Sequence, residues 1–367
     1  MISAAAGSAV PVLVGAFVAA ALSALGLTPL VRDLMRGRGL VDEPSARRIN
    51  VRPIPRGGGV AVVVAFILVG GALTLLGDAI PAMPGPRGIG PEQLATLFVG
   101  GLLAAGLGAL DDRFDLRARW QFLGQAVLGV LAAVFGVSVS VITNPFGPQA
   151  INVAVPFAMA FAVVWIVGMI NSINFIDGLD GLSSGIGLIA ALTLGLLSLT
   201  AQVDQPYVAV LCFALAGGLL GFLRWNFHPA TVFQGSAGIY FLGYMLAMLA
   251  IVGTAKVVVA LLVLGVPIID TFWVIVRRLT SGRSPFSGDR GHIHHRLLDL
   301  GLGHRATVLL IYGICATLGL LSLVVSAVTG LYAFLGALLV FGVVVFVLAN
   351  EPREGLRPES YEEDQGA

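Results

Sequence analysis

The stretch NSINFIDGLDGLSSG, residues 171–185, lies between two apolar runs that are each about as long as a membrane span. It carries two amides, Asn171 and Asn174, and two carboxylates, Asp177 and Asp180, within ten residues. Ionisable side chains are costly near a bilayer and usually mark a functional site. The neighbouring glycines allow tight turns and close approach to a ligand. We therefore predict a polar site for metal and phosphate at a membrane surface.

The composition extends this interpretation to the whole chain. Of its 367 residues, 57% are hydrophobic and 11% are charged, and the mean hydropathy is +0.95. Since a spanning helix needs roughly 20 mainly apolar residues, we predict an all-α, polytopic integral membrane protein with eleven transmembrane helices. The eleven runs are 10–31, 59–76, 94–110, 122–141, 153–170, 182–199, 207–223, 235–253, 257–276, 308–328 and 331–348.

Charge predicts the orientation of these helices. Of the 21 Lys and Arg residues, only Arg87 and Lys256 fall in one of the two sets of alternate loops. The positive-inside rule makes the other set cytoplasmic. The N-terminus is then outside and the C-terminus inside. We expect one transmembrane domain over residues 1–350 and a disordered acidic tail over residues 351–367.

An acidic doublet follows the third apolar run. Asp111 and Asp112 are adjacent in LDDRFDLRARWQFLGQ. Neighbouring carboxylates repel each other unless they share a cation or a proton. The functional interpretation is therefore a cation site. The structural alternative is a solvated turn in which Arg113 and Arg117 pair with the acids.

Two other segments on the same side permit both a structural and a functional interpretation. The loop RRINVRPIPRGGG, residues 47–59, is either a positive-inside anchor or a shaped loop that cradles an anion. The segment RWNFHPATVFQGSAG, residues 224–238, carries Trp225, which suits a membrane interface. Asn226 and the turn at 234–238 are better candidates for binding.

A carboxylate also falls inside the ninth run. Asp270 lies in VLGVPIIDTFWVIV, three residues after Pro267. Proline can open a helix and free its carbonyl groups. A buried acid in a broken helix is functional by default, and the alternative is a structural bond to a nearby arginine.

The loop that follows, residues 277–301, is rich in arginine and histidine. Its H-x-H-H motif invites a zinc interpretation, but the loop has no cysteine and its histidines lack the i, i+4 spacing of zinc enzymes. Arginines beside histidines favour phosphate or sugar hydroxyl groups instead.

Several long motifs together resemble those of the polyprenyl-phosphate N-acetylhexosamine-1-phosphate transferases. They are GALDDRFDL, NSINFIDGLDGL, the segment 226–238, PIIDTFWVIVRR and GRSPFSGDRGHIHHRLLDLGLGHR, in the same order over roughly residues 30–305. HIHHRL is similar to the branch that uses UDP-N-acetylglucosamine. The resemblance implies that a polyprenyl phosphate attacks a UDP-sugar, that UMP leaves, and that a polyprenyl diphosphate sugar remains in the membrane.

The resemblance also implies roles for particular residues. Its acid motifs imply catalytic roles for Asp111, Asp112, Asp177 and Asp270. Substrate binding is expected at Gly178, Leu179, Asp180, Phe233, Arg283, Arg290, His292, His294 and His295, and the polar clusters described above add Asn171 and Asn226. Metal binding is expected at Asn174 and Ser236, with Mg²⁺ as the ion and Mn²⁺ as the alternative.

Three positions depart from the family pattern. Ser236 stands where the family has its main metal-binding Asp, Gln121 where it has Lys, and Asn50 where a His is common. Two hypotheses follow: an active transferase with a modified metal site, which we favour because the other motifs are retained, or a non-catalytic relative that binds lipid phosphate or nucleotide sugar. A transporter is disfavoured, because the chain shows no repeat and its polar residues cluster on one face.

The expected partners follow from the resemblance. They are a UDP-sugar, a polyprenyl phosphate and the lipid bilayer, with no nucleic acid, and a homodimer is allowed. The protein is expected in the plasma (inner) membrane as a multi-pass protein whose active face is cytoplasmic, where it would initiate synthesis of a cell-envelope glycan.

Overall fold

The computed structural model describes residues 4–43, 53–142, 151–252, 257–280 and 292–324, with positions 144 and 282 and some of those between 329 and 340. Four residues named above lie outside the described residues: Asn50, Lys256, Arg283 and Arg290. The tail 351–367 lies outside them too. The predictions made for these positions stay predictions.

The described part of the chain is a bundle of α-helices, which confirms the all-α prediction. The helices are α1 Ala4–Gly37, α2 Val60–Leu75, α3 Pro91–Phe114, α4 Ala118–Val134, α5 Val155–Ile176, α6 Leu182–Ser198, α7 Pro206–Asn226, α8 Gly235–Ile251, α9 Val257–Val263, α10 Gly265–Thr280, α11 Ile293–Asp299 and α12 His304–Val324. Two small antiparallel strand pairs interrupt them, β1 Val41–Asp42 with β2 Ile54–Pro55 and β3 Val141–Ile142 with β4 Ile151–Asn152.

The helices support a membrane protein without fixing the number of spans. Five described helices are long and apolar enough to cross a bilayer, namely α1, α3, α5, α7 and α12, and the bent pair α9–α10 makes a sixth. Four shorter apolar helices, α2, α4, α6 and α8, have 16 or 17 residues each. The last expected run, 331–348, lies almost entirely outside the described residues. The count of eleven and the orientation therefore stay predictions.

Helix α8 forms the centre of the bundle. Every residue from Ala237 to Ile251 is buried, as expected for a helix that is apolar on all sides. It packs mainly against α3 and α5, while α7 packs between α1 and α6. The start of α8 is therefore held at the end of the bundle where α3 and α5 also end.

The ninth predicted span is broken. Helices α9 and α10 are bent by 80° at Leu264. The break comes three residues before Pro267, which is the third residue of α10. Proline is tolerated in the first turn of a helix, because the amide there has no partner within the helix. Pro267 thus begins the second half of the span, and Asp270 follows on α10.

Candidate active site

A cleft opens at the end of the bundle where α1, α5 and α7 end and α8 and α12 begin. Its volume is about 1060 Å³. The predicted site residues that line it are Asp112, Asn174, Asp177, Gly178, Leu179, Asp180, Asn226, Phe233, Ser236 and His295. Gln234 and Arg56, from the candidate turn 234–238 and the candidate loop 47–59, line it as well. It is also lined by residues that the sequence did not single out for binding, among them Arg32, Arg36, Asp42, His228 and His304.

Asp112 binds the start of α8 from the neighbouring helix α3. Its carboxylate accepts hydrogen bonds from the backbone amides of Ser236 (2.9 Å) and Ala237 (3.1 Å), in the first turn of α8. A helix N-terminus has unpaired amides and attracts negative charge. Arg56 also donates to the Asp112 carbonyl oxygen at 2.5 Å. Asp112 therefore caps α8 while it faces the cleft.

Asp111 is satisfied by neutral donors. One carboxylate oxygen accepts bonds from the Gln121 amide (2.8 Å) and the Leu116 backbone amide (3.1 Å). The other accepts bonds from the Ser236 hydroxyl (2.7 Å) and the Tyr240 hydroxyl (3.3 Å). Gln121 and Ser236, two of the departures from the family pattern, thus meet at one carboxylate.

The two acids of the doublet are buried, with exposed fractions of 9% for Asp111 and 5% for Asp112. The solvated-turn alternative is therefore wrong. Each carboxylate has its own set of donors, so neither needs to share a proton or a cation with the other to be accommodated. Sequence adjacency could not reveal this division, since every donor except the nearby Leu116 amide comes from α4 or α8.

The Asp177 carboxylate accepts fewer hydrogen bonds than those of Asp112 and Asp180. It follows the last residue of α5 and begins the α5–α6 turn, residues 177–181. Ser183 donates to one carboxylate oxygen, and no described residue donates to the other. The pKa of Asp177 is raised from 3.8 to about 6, chiefly by burial. The Ser183 bond opposes this rise, and the nearby charges of Asp112, Asp180 and Asp42 contribute to it. This carboxylate would gain most from a bound cation.

The residues that fit a divalent cation lie at the end of α5. Asn174 and Asp177 are about one helical turn apart and both line the cleft. Amide and carboxylate oxygens are the donors that Mg²⁺ prefers, and Mg²⁺ is commonly held by one or two carboxylates plus substrate phosphates. The Ser236 hydroxyl, in contrast, already donates to Asp111.

Gln234 lines the cleft directly before α8 and contacts α6. Its side-chain oxygen lies 2.8 Å from the hydroxyls of both Ser183 and Ser184 on α6. Ser184 is also 2.8 Å from the side-chain oxygen of Asn226, at the end of α7. Gln234 is only 1% exposed, and its side-chain nitrogen has no partner among the described residues. Gln234 is the first residue of the turn 234–238, which the sequence singled out as a candidate for binding.

The glycine run pairs with the segment before α8. The amides of Gly58 and Gly59 donate to the carbonyl groups of Phe233 (2.9 Å) and Gln234 (2.8 Å). A Cβ on Gly59 would lie 2.4 Å from the Cα of Gly238, so only glycine permits this approach. The expectation that this run cradles an anion is wrong for these two amides, because both are already used.

Asp180 forms a cluster with two histidines. It accepts bonds from His228 Nδ1 (2.8 Å) and the Ala230 amide (3.0 Å), and His304 stacks on His228 with ring centroids 4.0 Å apart and planes at 20°. Among the described residues this is the one His/Asp group compact enough to suggest a metal. Imidazole lone pairs lie in the ring plane, however, and two nearly parallel rings do not direct them at one ion. The cluster instead fixes the loop 228–230 to the α5–α6 turn.

The remaining predicted residues lie away from the cleft. Asn171 donates to the Gln125 side-chain oxygen at 2.5 Å, which joins α5 to α4 inside the bundle. Asp270 accepts bonds from His292 Nδ1 (2.7 Å) and the Ile293 amide (2.9 Å). His292 and His294 are buried. Of the three histidines of the motif, His295 alone lines the cleft.

A bundle of apolar helices with a polar cleft at one end defines an integral membrane protein whose site combines acids, amides and arginines. Residues 94–254 match the family model of glycosyl transferase family 4. The chain is 32% identical over 358 residues, 95% of this chain and 94% of the other, to a probable undecaprenyl-phosphate N-acetylglucosaminyl 1-phosphate transferase of Bacillus subtilis.

Two further relatives agree with this match. The decaprenyl-phosphate N-acetylglucosaminephosphotransferase of Mycobacterium tuberculosis is 35% identical over 351 residues, 86% of this chain and 84% of its own length. The undecaprenyl-phosphate alpha-N-acetylglucosaminyl 1-phosphate transferase of Yersinia pestis is 30% identical over 302 residues, covering 79% and 78%. The chain belongs to this family of polyprenyl-phosphate sugar-1-phosphate transferases, which confirms the resemblance.

Proposed function

We propose that this protein transfers N-acetylglucosamine-1-phosphate from a UDP-sugar to a polyprenyl phosphate, giving UMP and a polyprenyl diphosphate sugar, as the first step of a cell-envelope glycan. The observation that carries the proposal is the cleft, whose lining combines Asn174, Asp177 and Asp180 with arginines at the end of a membrane bundle. The relatives' names support a polyprenyl phosphate acceptor and an N-acetylglucosamine-1-phosphate group.

In this reaction an oxygen of the acceptor phosphate forms a bond to the phosphorus that carries the sugar. The bond from that phosphorus to the bridging oxygen breaks, and the electron pair leaves with UMP. Phosphoryl transfer depends on positioning and charge neutralisation more than on covalent catalysis. Arg32, Arg36 and Arg56 supply positive charge at the cleft, and guanidinium groups suit phosphate oxygens.

Asn174 and Asp177 would hold Mg²⁺, or Mn²⁺ as an alternative ion with similar preferences for oxygen. The ion would supply neutralisation of the diphosphate charge. Ser236 stays a predicted ligand, although its hydroxyl is bonded to Asp111. The role proposed for Asp112 is to hold the first turn of α8 beside the reacting phosphates.

We also propose that the cleft faces the cytoplasm, with eleven spans, an external N-terminus and a plasma-membrane location. The distribution of Lys and Arg supports this orientation. A nucleotide-sugar donor dissolved in the cytosol and an acceptor phosphate at the bilayer surface would then meet at the same face. A homodimer stays a prediction.

The test measures UMP release by the purified protein with UDP-N-acetylglucosamine, polyprenyl phosphate and Mg²⁺. We expect release by the wild type and a loss of roughly a hundredfold or more in Asp177→Asn, because a charge at the diphosphate disappears. The matched control is Asp115→Asn, an exposed acid with φ of 50°, a conformation that Asn also tolerates.

Two outcomes would contradict the proposal. If the wild type released no UMP from any UDP-N-acetylhexosamine while Ser236→Asp did, the protein would be a non-catalytic relative. Release that is equal in Asp177→Asn and the wild type would move the chemistry away from the α5–α6 turn.

A further inference from the structure

Asp270 is a buried carboxylate that does not line the cleft. It is 2% exposed and lies on α10, after the break in the span. Both of its oxygens bind the start of α11: one accepts from His292 Nδ1 at 2.7 Å and the other from the Ile293 amide at 2.9 Å. This seven-residue helix is therefore fixed at its first residues by an acid from a different element.

The next residue of α11 faces the α5–α6 turn. His294 is 1% exposed, and a Cβ on Gly178 would lie 2.1 Å from His294 Nε2. The imidazole thus occupies the space that a side chain at Gly178 would need. Gly178 directly follows Asp177, so the ring limits where this carboxylate can lie.

His294 has no hydrogen bond of its own to hold it there. Neither ring nitrogen has a partner among the described residues. Its position is therefore set by the helix that carries it, and that helix is anchored by Asp270. His295, the following residue, lines the cleft and depends on the same anchor.

We propose that Asp270 is a positioning residue, which holds His294 against Gly178 through α11 and thereby places the Asp177 carboxylate in the cleft. The assignment rests on the proposed function for its catalytic consequence. It gives the acid in the broken span a role without contact with the reacting atoms.

The first experiment uses Asp270→Asn and measures amide hydrogen exchange of the purified protein by mass spectrometry. The new carboxamide would keep an acceptor for the Ile293 amide but present an NH₂ group where a carboxylate oxygen faces His292. We expect faster exchange in peptides covering both 293–299 and 177–182. Asp299→Asn, an exposed acid at the other end of α11, is the matched control and should leave both unchanged. Faster exchange in 293–299 alone, or in neither, would overturn the proposal.

The second experiment enlarges the side chain at position 178 and then shortens the one that contacts it, at position 294. Gly178→Ala should lower kcat by roughly tenfold or more, because the new methyl group displaces the turn against the ring. His294→Ala in the same chain should restore part of that loss. If the two substitutions instead combine additively, the ring does not set the position of the turn and the proposal is wrong.

The two experiments separate this proposal from the proposed function. Kinetic analysis of Asp270→Asn should show a fall in kcat with a smaller change in KM, and the loss should shrink when His292→Ala is already present. An inactive wild type with coupled exchange of the two peptides would reject the transferase function and retain the positioning role. An active wild type without coupled exchange of the two peptides would retain the transferase function and reject the positioning role.

Discussion

The acidic doublet and the α5–α6 turn both bring carboxylates to the cleft end of the bundle, but they differ in how many hydrogen bonds those carboxylates accept. The carboxylates of Asp111 and Asp112 accept six hydrogen bonds between them, all from neutral donors of the protein. Asp177 accepts one, from Ser183, and its pKa is raised to about 6 chiefly by burial. The satisfied pair holds α3, α4 and α8 together, whereas the unsatisfied acid is left with capacity for a ligand.

The largest effect is expected from a second carboxylate at the satisfied pair. Ser236→Asp would remove the hydroxyl that donates to Asp111 at 2.7 Å and place a negative charge beside it. Without a cation, we expect a loss of about 4 kcal/mol in the free energy of unfolding. Thermal unfolding in detergent with a chelator measures this.

A second substitution sharpens that experiment. Gln121 donates to the same Asp111 carboxylate at 2.8 Å, so Gln121→Lys would bring a positive charge to the pair. Gln121→Lys combined with Ser236→Asp should recover part of the lost stability, as should added Mg²⁺. A Ser236→Asp protein as stable as the wild type in chelator would show that Asp111 is not confined as described.

The next effect concerns the pH dependence of the unsatisfied acid. The folded-state pKa of Asp177 is raised from 3.8 to about 6. The carboxyl group therefore favours folding below about pH 4, and this contribution, about 3 kcal/mol, is lost as the pH rises through 6. Asp177→Asn cannot ionise, so in chelator it should be more stable than the wild type at pH 7.5 and nearly equal to it at pH 4.

Thermal unfolding across this pH range measures the difference, and Asp115→Asn is again the control. Added Mg²⁺ should stabilise the wild type at pH 7.5 and leave Asp177→Asn unchanged. A constant difference between the two proteins from pH 4 to 7.5 would contradict the raised pKa.

The smallest effect is expected at Gln234, between the two regions. Gln234→Met removes a buried nitrogen that has no partner among the described residues, but also the oxygen that lies near Ser183 and Ser184. These effects oppose each other, so the stability should change by less than about 1 kcal/mol. The substitution should affect the rate of UMP release more than it affects the free energy of unfolding, since Ser183 also donates to Asp177. A large loss of stability would mean that the Gln234 nitrogen is bonded.

The sequence predicted local features well because they depend on local hydrophobicity. The run 182–199 corresponds to α6, and the run 59–76 to α2, with ends that differ by one residue. We expected the helix to open at Pro267, but the break lies three residues earlier, at Leu264. Proline is tolerated in the first turn of a helix, so its position alone does not show where the new helix begins.

The parts of the site that depend on long-range partners could not be predicted from the sequence. Asp111 and Asp112 are adjacent, yet their donors differ because one points to α4 and α8 and the other to the first amides of α8. His228 and His304 meet only because α12 begins beside the end of α7. Asn171 and Asn174 belong to the same motif and, at i and i+3, lie on the same side of α5. Asn171 is one turn earlier and donates to Gln125 of α4, a partner that the sequence could not identify.

Capping of α8 by Asp112 has a kinetic consequence. The positive end of this helix is already neutralised by a fixed carboxylate, so it adds little attraction for an incoming anion. Long-range attraction of an anion must then come from Arg32, Arg36 and Arg56 at the cleft. Attraction by charges that border solvent weakens with ionic strength. The rate at which a polyanionic donor associates with the protein should therefore fall steeply as salt is added. The rate of reaction within the bound complex should change little.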